Sequence, residues 1–133
     1  MKYIYTFLFV AISATTFAQG GNLQFNKVLN FDYSSVFVSG YGNEILETIT
    51  VPIGTVWKIT AASSHGTSYS GISRSALAVN SHFLWFQTNS SSFIMNTPFW
   101  LSSGIHEFKV FNQYSGSQEI SSAISVIEFN IVP

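Results

Sequence analysis

The sequence predicts an all-β protein, a two-sheet antiparallel sandwich of jelly-roll type with about eight strands. Apolar and polar residues alternate over most of the chain, with the period of two that is typical of half-buried strands. No stretch combines apolar residues at helical spacing with capping residues. Turn signals rich in Gly, Pro, Ser and Asn recur about every 8 to 12 residues, as in sandwiches and barrels.

Residues 1–18 have the pattern of a secretory signal peptide. Lys2 gives a positive start, an apolar stretch runs from Tyr3 to Ile12, and Ala18 ends the segment with a small residue that a signal peptidase accepts. We therefore expect cleavage after Ala18, a single domain over residues 19–133, and a secreted protein, either extracellular or periplasmic. No later segment has the roughly 20 apolar residues that a membrane-spanning helix needs, so we expect no transmembrane segment in the mature chain.

The first half of the mature chain predicts four strands and one long loop. Pro52-Ile53-Gly54 predicts a hairpin, because Pro fixes φ at a turn corner and Gly supplies the positive φ that closes it. Residues 63–75 are polar and contain glycines, so we expect the longest loop there. Residues 23–33 are predicted to form one long strand, or two that meet at a bend. Further strands are predicted over 36–38, through 45–51 and over 56–62.

The second half continues the same pattern. Gly104 ends a second turn. Together with its flanking strands this turn resembles the first predicted hairpin, which suggests that the hairpin is repeated. Residues 119–132 are apolar on both faces toward their end, as expected for a central strand covered on two sides. The predicted elements are strands over 76–87, 93–95, 99–101, 105–112 and 119–132, with a loop over 113–118.

Composition excludes several kinds of partner and site. Charged residues make up 8% of the chain against about 25% in an average globular protein. Removal of Lys2 leaves four basic residues, spread singly, against six acidic ones, a net charge of −2, which does not suit nucleic acid or an anionic membrane. The absence of cysteine excludes disulfides, thiol nucleophiles and zinc-thiolate sites.

No motif predicts an enzyme, a metal site or a cofactor. The histidines at 65, 82 and 106 stand alone rather than at ligand spacing. Gly71-Ile72-Ser73-Arg74-Ser75 departs from the Gly-x-Ser-x-Gly nucleophile turn at its last position. Glu107 with Glu119 or Glu47 could form the carboxylate pair of a glycosidase, but a sandwich of this size rarely forms the cleft required. We expect a non-enzymatic protein with no cofactor.

Three segments resemble short, largely uncharacterised secreted all-β proteins of Gram-negative bacteria. They are residues 51–59 (VPIGTVWKI), the turn 100–104 (WLSSG) and the ending 124–131 (ISVIEFNI). This resemblance implies export and a jelly-roll-like sandwich. It implies no activity.

The weakly charged, hydroxyl-rich and aromatic composition favours a binding module for a glycan or another cell-surface ligand. Tyr and Trp are residue types that stack on sugar rings, while Asn, Gln and Ser match hydroxyl groups. Trp57, Trp85 and Trp100 lie in strand patterns and are most simply core residues. The candidate ligand-binding residues are therefore those of the loops 63–75 and 113–118 and of the glycine turn before them: Tyr69, Tyr114, His65, Arg74 and Tyr41.

The same composition leaves a second hypothesis open. Sheets usually protect their exposed edges with Lys, Pro or bulges, and this chain has few such residues. Identical subunits could instead cover an edge or an apolar face, in a homo-oligomeric structural or adhesive subunit of the cell exterior. A binding module predicts exposed Tyr or Trp in a shallow groove, and a structural subunit predicts a flat apolar patch or an unpaired edge.

Overall fold

A computed structural model describes residues 22–67, 74–88, 91–94 and 98–132 of the chain. These residues form nine strands, and the predicted signal peptide lies outside them. Among them there is no helix that could cross a bilayer. The strands are β1 (Asn22–Val38), β2 (Asn43–Val51), β3 (Thr55–Thr67), β4 (Ser75–Val79), β5 (His82–Thr88), β6 (Ser91–Ile94), β7 (Phe99–Leu101), β8 (Gly104–Asn112) and β9 (Gln118–Val132).

The strands form two antiparallel sheets, which confirms the predicted sandwich. A four-stranded sheet has the order β1-β9-β3-β7, and a five-stranded sheet has the order β2-β8-β4-β5-β6. The chain crosses from one sheet to the other after β1, β2, β3, β6, β7 and β8, so that the first and last strands lie side by side. Eight of the strands have the jelly-roll order, and β6 adds a fifth strand at the end of the second sheet.

The turn at Pro52-Ile53-Gly54 is a corner between the sheets and not the hairpin that the sequence predicts. Gly54 has φ +80, and the amide of Thr55 donates to the carbonyl of Pro52 at 3.1 Å, so the turn is as tight as expected. However, β2 pairs with β8, whereas β3 pairs with β9 and β7. The turn before β8 likewise joins β7 in one sheet to β8 in the other. The two similar turns are therefore two crossovers.

Two further boundaries differ from the sequence prediction. The predicted strand over 76–87 is a hairpin, because the chain reverses at Asn80, which has φ +53, and β4 pairs with β5. The predicted loop over 63–75 is partly strand, since β3 continues to Thr67 alongside residues 119–123 of β9. Residues 113–117 do form a turn, and residues 68–73 lie outside the described part of the chain.

The core lies between the sheets and is built from the inward residues of both. Ile59, Leu77, Phe108, Val110 and Val126 have no exposed surface. Each such side chain contributes about 1.5 to 3 kcal/mol by leaving water. The outward face of β9 differs from the sequence prediction. Its Ile127 and Phe129 are only half-buried, because no described element covers the outside of the four-stranded sheet.

Candidate functional site

A pocket of about 530 Å³ opens where the two sheets meet beside the middle of β9. Three adjacent strands of the four-stranded sheet form one side, and β5 of the other sheet contributes the rest. Its lining contains five serines and a single residue with a formal charge, Asp32. The lining residues are Asp32, Tyr33, Ser34, Ser63, Ser64, His65, Trp85, Gln87, Ser121, Ser122 and Ala123.

Small inward side chains create this pocket. In the register of the sheet Tyr33 pairs with Ser122, and Ser122 pairs with Ser64, so the three lie in one row across β1, β9 and β3. Inward positions to either side on β9 are Ile120 and Ile124, both buried in the core. Because a serine fills less volume than the isoleucines beside it, the sandwich is not filled at this level.

The buried hydroxyls form a chain of hydrogen bonds that crosses between the sheets. Ser122 Oγ donates to Ser64 Oγ at 3.1 Å, and Ser64 Oγ donates to Ser75 Oγ at 3.4 Å. Ser75 Oγ in turn donates to Gln87 Oε1 at 3.3 Å. Ser64 and Ser75 are buried, so these partners replace the water that each hydroxyl loses on folding.

Gln87 also joins the end of β3 to the second sheet. Its Oε1 accepts from the backbone amide of Gly66 at 3.3 Å, and its Nε2 donates to Nδ1 of His65 at the same distance. Because Nδ1 accepts this bond, the neutral imidazole of His65 carries its proton on Nε2. Gln87 therefore positions His65 at the pocket.

Trp85 supplies an aromatic wall with an unused hydrogen-bond donor. Its side chain is half-buried and lines the pocket. Among the described residues, its Nε1 is the buried side-chain nitrogen or oxygen that lacks a hydrogen-bond partner. Leaving such a donor unsatisfied costs about 1 to 3 kcal/mol. Because this nitrogen is buried, it does not face the pocket.

The phenol of Tyr33 is held neutral at the β1 side of the pocket. Its hydroxyl donates to Oε2 of Glu47 at 2.7 Å, which links β1 to β2 of the other sheet. Burial raises the pKa of Tyr33 well above its usual range, and the hydrogen bond to Glu47 and the charge of that carboxylate raise it further. Tyr33 therefore keeps its proton at every physiological pH.

Of the five predicted ligand residues, the four that the structure describes do not form one site. His65 lines the pocket, although from a strand rather than a loop. Tyr41 is 78% exposed and lines a smaller hollow of about 260 Å³ that also includes Gln113. Arg74 is exposed, and its carbonyl accepts from the amide of Gln113 at 2.9 Å. Tyr114 is half-buried in the same turn, and Tyr69 lies outside the described residues.

Most of the pocket residues have no individual signal in the sequence. The inward positions of Ser64 and Ser122 follow only from the strand register, which the sequence does not show. The three tryptophans do not all occupy the core position that the sequence predicts for them. Trp57 is 6% exposed and in the core, Trp85 lines the pocket, and Trp100 is 47% exposed on the outside of the sheet.

A second polar cluster lies in the core of the four-stranded sheet. The carboxylate of Glu128 is 3% exposed and accepts from Nε1 of Trp57 at 2.7 Å. It also accepts from the side-chain amide of Asn26 and lies 3.7 Å from Nζ of Lys27. This cluster joins β1, β9 and β3, and we assign it a structural role because its donors are already paired.

The histidines of the described residues contact different partners. His106 contacts Asn80 and the carbonyl of Ser102, and His82 packs against the ring of Phe99. No group of three or more His, Asp or Glu side chains among the described residues is placed to hold a metal ion.

No protein-family model, no curated protein and no solved structure matches this chain. The resemblance to secreted proteins of Gram-negative bacteria therefore stays a prediction.

Proposed function

We propose that this protein is a secreted, non-enzymatic binding module whose pocket takes a neutral sugar of a glycan. The observation that carries this proposal is the combination of an aromatic wall and hydroxyls in one pocket. Trp85 contributes an indole to the lining, and the Tyr33-Ser122-Ser64 row contributes hydroxyls. The pocket volume falls in the range of about 300 to 1,000 Å³ that is usual for small-molecule sites.

The charges of the pocket favour a neutral ligand. Asp32 is the one formally charged residue in the lining, and it would repel an anion. Neutral hydroxyls and amides bind sugar hydroxyls without the desolvation cost of burying a charge.

The lining favours binding over hydrolysis. Glycoside hydrolysis uses two carboxylates about 5 to 10 Å apart across the bond that breaks. Asp32 is the single carboxylate in the lining, and the nearby Glu47 accepts the hydrogen bond of Tyr33.

The experiment that tests this proposal applies the exported protein to an array of neutral and acidic glycans. We expect saturable binding to neutral glycans that falls at least about tenfold in Trp85→Phe, which reduces the aromatic surface of the pocket; tenfold corresponds to about 1.4 kcal/mol. Trp100→Phe, on the outside of the sheet, is the matched control and should bind normally. Folded protein that binds no glycan would contradict the proposal.

A second candidate function is a self-associating structural or adhesive subunit. The observation that favours it is the apolar outer face of the four-stranded sheet, where Phe25 and Val28 are 58% and 55% exposed.

A further inference from the structure

The outer face of the four-stranded sheet carries an apolar patch. Phe25 of β1 pairs with Phe129 of β9, and Val28 pairs with Ile127. The ring of Trp100 on β7 lies 5.7 Å from that of Phe129, and Nζ of Lys58 on β3 lies 5.4 Å from the centre of the Trp100 ring. An exposed apolar patch that reaches a sheet edge is typical of a protein contact surface.

The edge itself is the long strand β1. In the order β1-β9-β3-β7 it has one neighbour, so along its other side no described strand pairs with its backbone. The register with β9 shifts between Phe25 and Lys27 and again between Tyr33 and Val36. Regular pairing therefore covers residues 27–33, and an added strand would pair along this stretch.

This edge has little of the usual protection along residues 27–33, between the two register shifts. The charged residues there are Lys27, whose ammonium lies 3.7 Å from the buried carboxylate of Glu128, and the exposed Asp32. Lysine side chains and prolines normally keep a strand edge from accepting another strand. Here the residues that point outward next to the edge include the exposed Val28 and Phe25.

A second copy of this chain is the occupant that fits both features. Unpaired backbone groups require an extended strand as partner, and antiparallel pairing about a two-fold axis makes one edge complementary to itself. The two apolar patches would then join across the axis into one face. An unrelated apolar ligand would cover the patch but leave the backbone edge unpaired.

We propose that two copies associate through β1, antiparallel and centred near Asn30, so that their four-stranded sheets form one eight-stranded sheet. This inference goes beyond the proposed sugar binding and does not depend on it. Residues 32–34 line the pocket, so each pocket would lie beside the interface, and the dimer would present two sites to one glycan surface.

The first experiment measures the mass of the exported protein in solution. We expect twice the mass of one chain, and half of that in Asn30→Lys, because the two lysines would face each other at the axis. Ile45→Lys is the matched control: Ile45 is 51% exposed on β2, the edge strand of the other sheet, and its variant should stay dimeric. A monomeric wild type, a dimeric Asn30→Lys or an equally monomeric Ile45→Lys would overturn the proposal.

The second experiment does not depend on how a lysine affects folding. The chain has no cysteine, so a single introduced thiol reports on its own surroundings. Residues that face each other in antiparallel strands have Cα atoms about 4.5 to 5.5 Å apart, within the range that a disulfide spans. We expect Asn30→Cys to form a disulfide-linked dimer under mild oxidation at least about tenfold faster than Thr60→Cys, on β3 of the same sheet, because association raises the effective thiol concentration. Equal rates would overturn the proposal.

Sugar binding and association can fail separately. Trp85→Phe should leave the mass unchanged, and Asn30→Lys should leave the affinity for a monovalent sugar unchanged.

Discussion

At the scale of single residues, buried polar groups affect stability in two opposite ways. Glu128 and Trp85 show the two cases. The carboxylate of Glu128 has three partners, one of them the Trp57 indole, whereas the Trp85 indole has none among the described residues. A paired buried group holds strands together, whereas an unpaired one costs stability.

We predict that Glu128→Ala destabilises the protein by about 1 to 3 kcal/mol or more, because Nε1 of Trp57 loses its acceptor in the core. Glu128→Gln keeps one acceptor oxygen and should lose less. Urea unfolding of both variants measures the free energy of unfolding. Glu119→Ala, at an exposed position of the same strand, is the control, and an equal loss there would contradict the prediction.

Tyr33 predicts a loss of stability at alkaline pH. Its pKa is raised in the folded protein by burial and by Glu47, above an ordinary value of 10.0. The contribution of this group is fully present below that value. It falls as the pH rises above about 10, where the unfolded chain releases the proton and the folded chain retains it.

Unfolding measured from pH 8 to 11 checks this prediction. The decline above pH 10 should be shallower in Tyr33→Phe than in wild type. Tyr41→Phe removes a phenol that is 78% exposed and should decline like wild type. The same slope in all three proteins would show that Tyr33 does not cause it.

At the scale of strands, residue size on β3 and β9 determines where the pocket forms. Ser122→Val should fill part of the pocket and abolish sugar binding while leaving the protein at least as stable, since each buried methylene contributes about 0.8 kcal/mol. Calorimetric titration with a sugar measures the first effect and urea unfolding the second. Ser125→Val, on the outward side of β9, should bind normally. Undiminished binding by Ser122→Val would place the ligand elsewhere.

The strands also show what the sequence can predict. The fold class follows from alternation, because an outward and an inward face differ in polarity along most strands. The sequence does not indicate the end of β3. Its inward residues, Ser64 and Gly66, are small or polar, and its outward residues are polar too, so apolar and polar residues do not alternate there. Pairing with residues 119–123 of β9 makes that segment a strand.

The pairing of strands could not be predicted from turns alone. A tight turn with Gly at positive φ suits a hairpin and a crossover equally, so Pro52-Ile53-Gly54 does not reveal that β2 and β3 belong to different sheets. The pocket depends on that pairing. The polar, glycine-containing segment 63–75 predicts His65 as a candidate. Tyr33, Ser122 and Trp85 come together only when both sheets have formed, which the sequence does not show.

At the scale of the whole molecule, the jelly roll separates two surfaces with different properties. The pocket between the sheets is lined by hydroxyls and one indole, while the outside of the four-stranded sheet is apolar up to the β1 edge. We propose that the first surface binds a sugar and the second binds another copy of the chain. A low total charge suits both surfaces. The pocket does not repel a neutral ligand, and the outer face does not repel the same face of a second copy.

The most direct test of sugar binding is the ¹H–¹⁵N spectrum of the three tryptophan indoles during titration with a neutral sugar. The Trp85 Nε1–H should shift saturably because its indole lines the pocket, while that of Trp57, bonded to Glu128, and that of Trp100, on the outer face, stay in place. If neutral sugars leave the Trp85 signal of the folded protein unmoved, or shift Trp100 instead, the pocket is not the binding site.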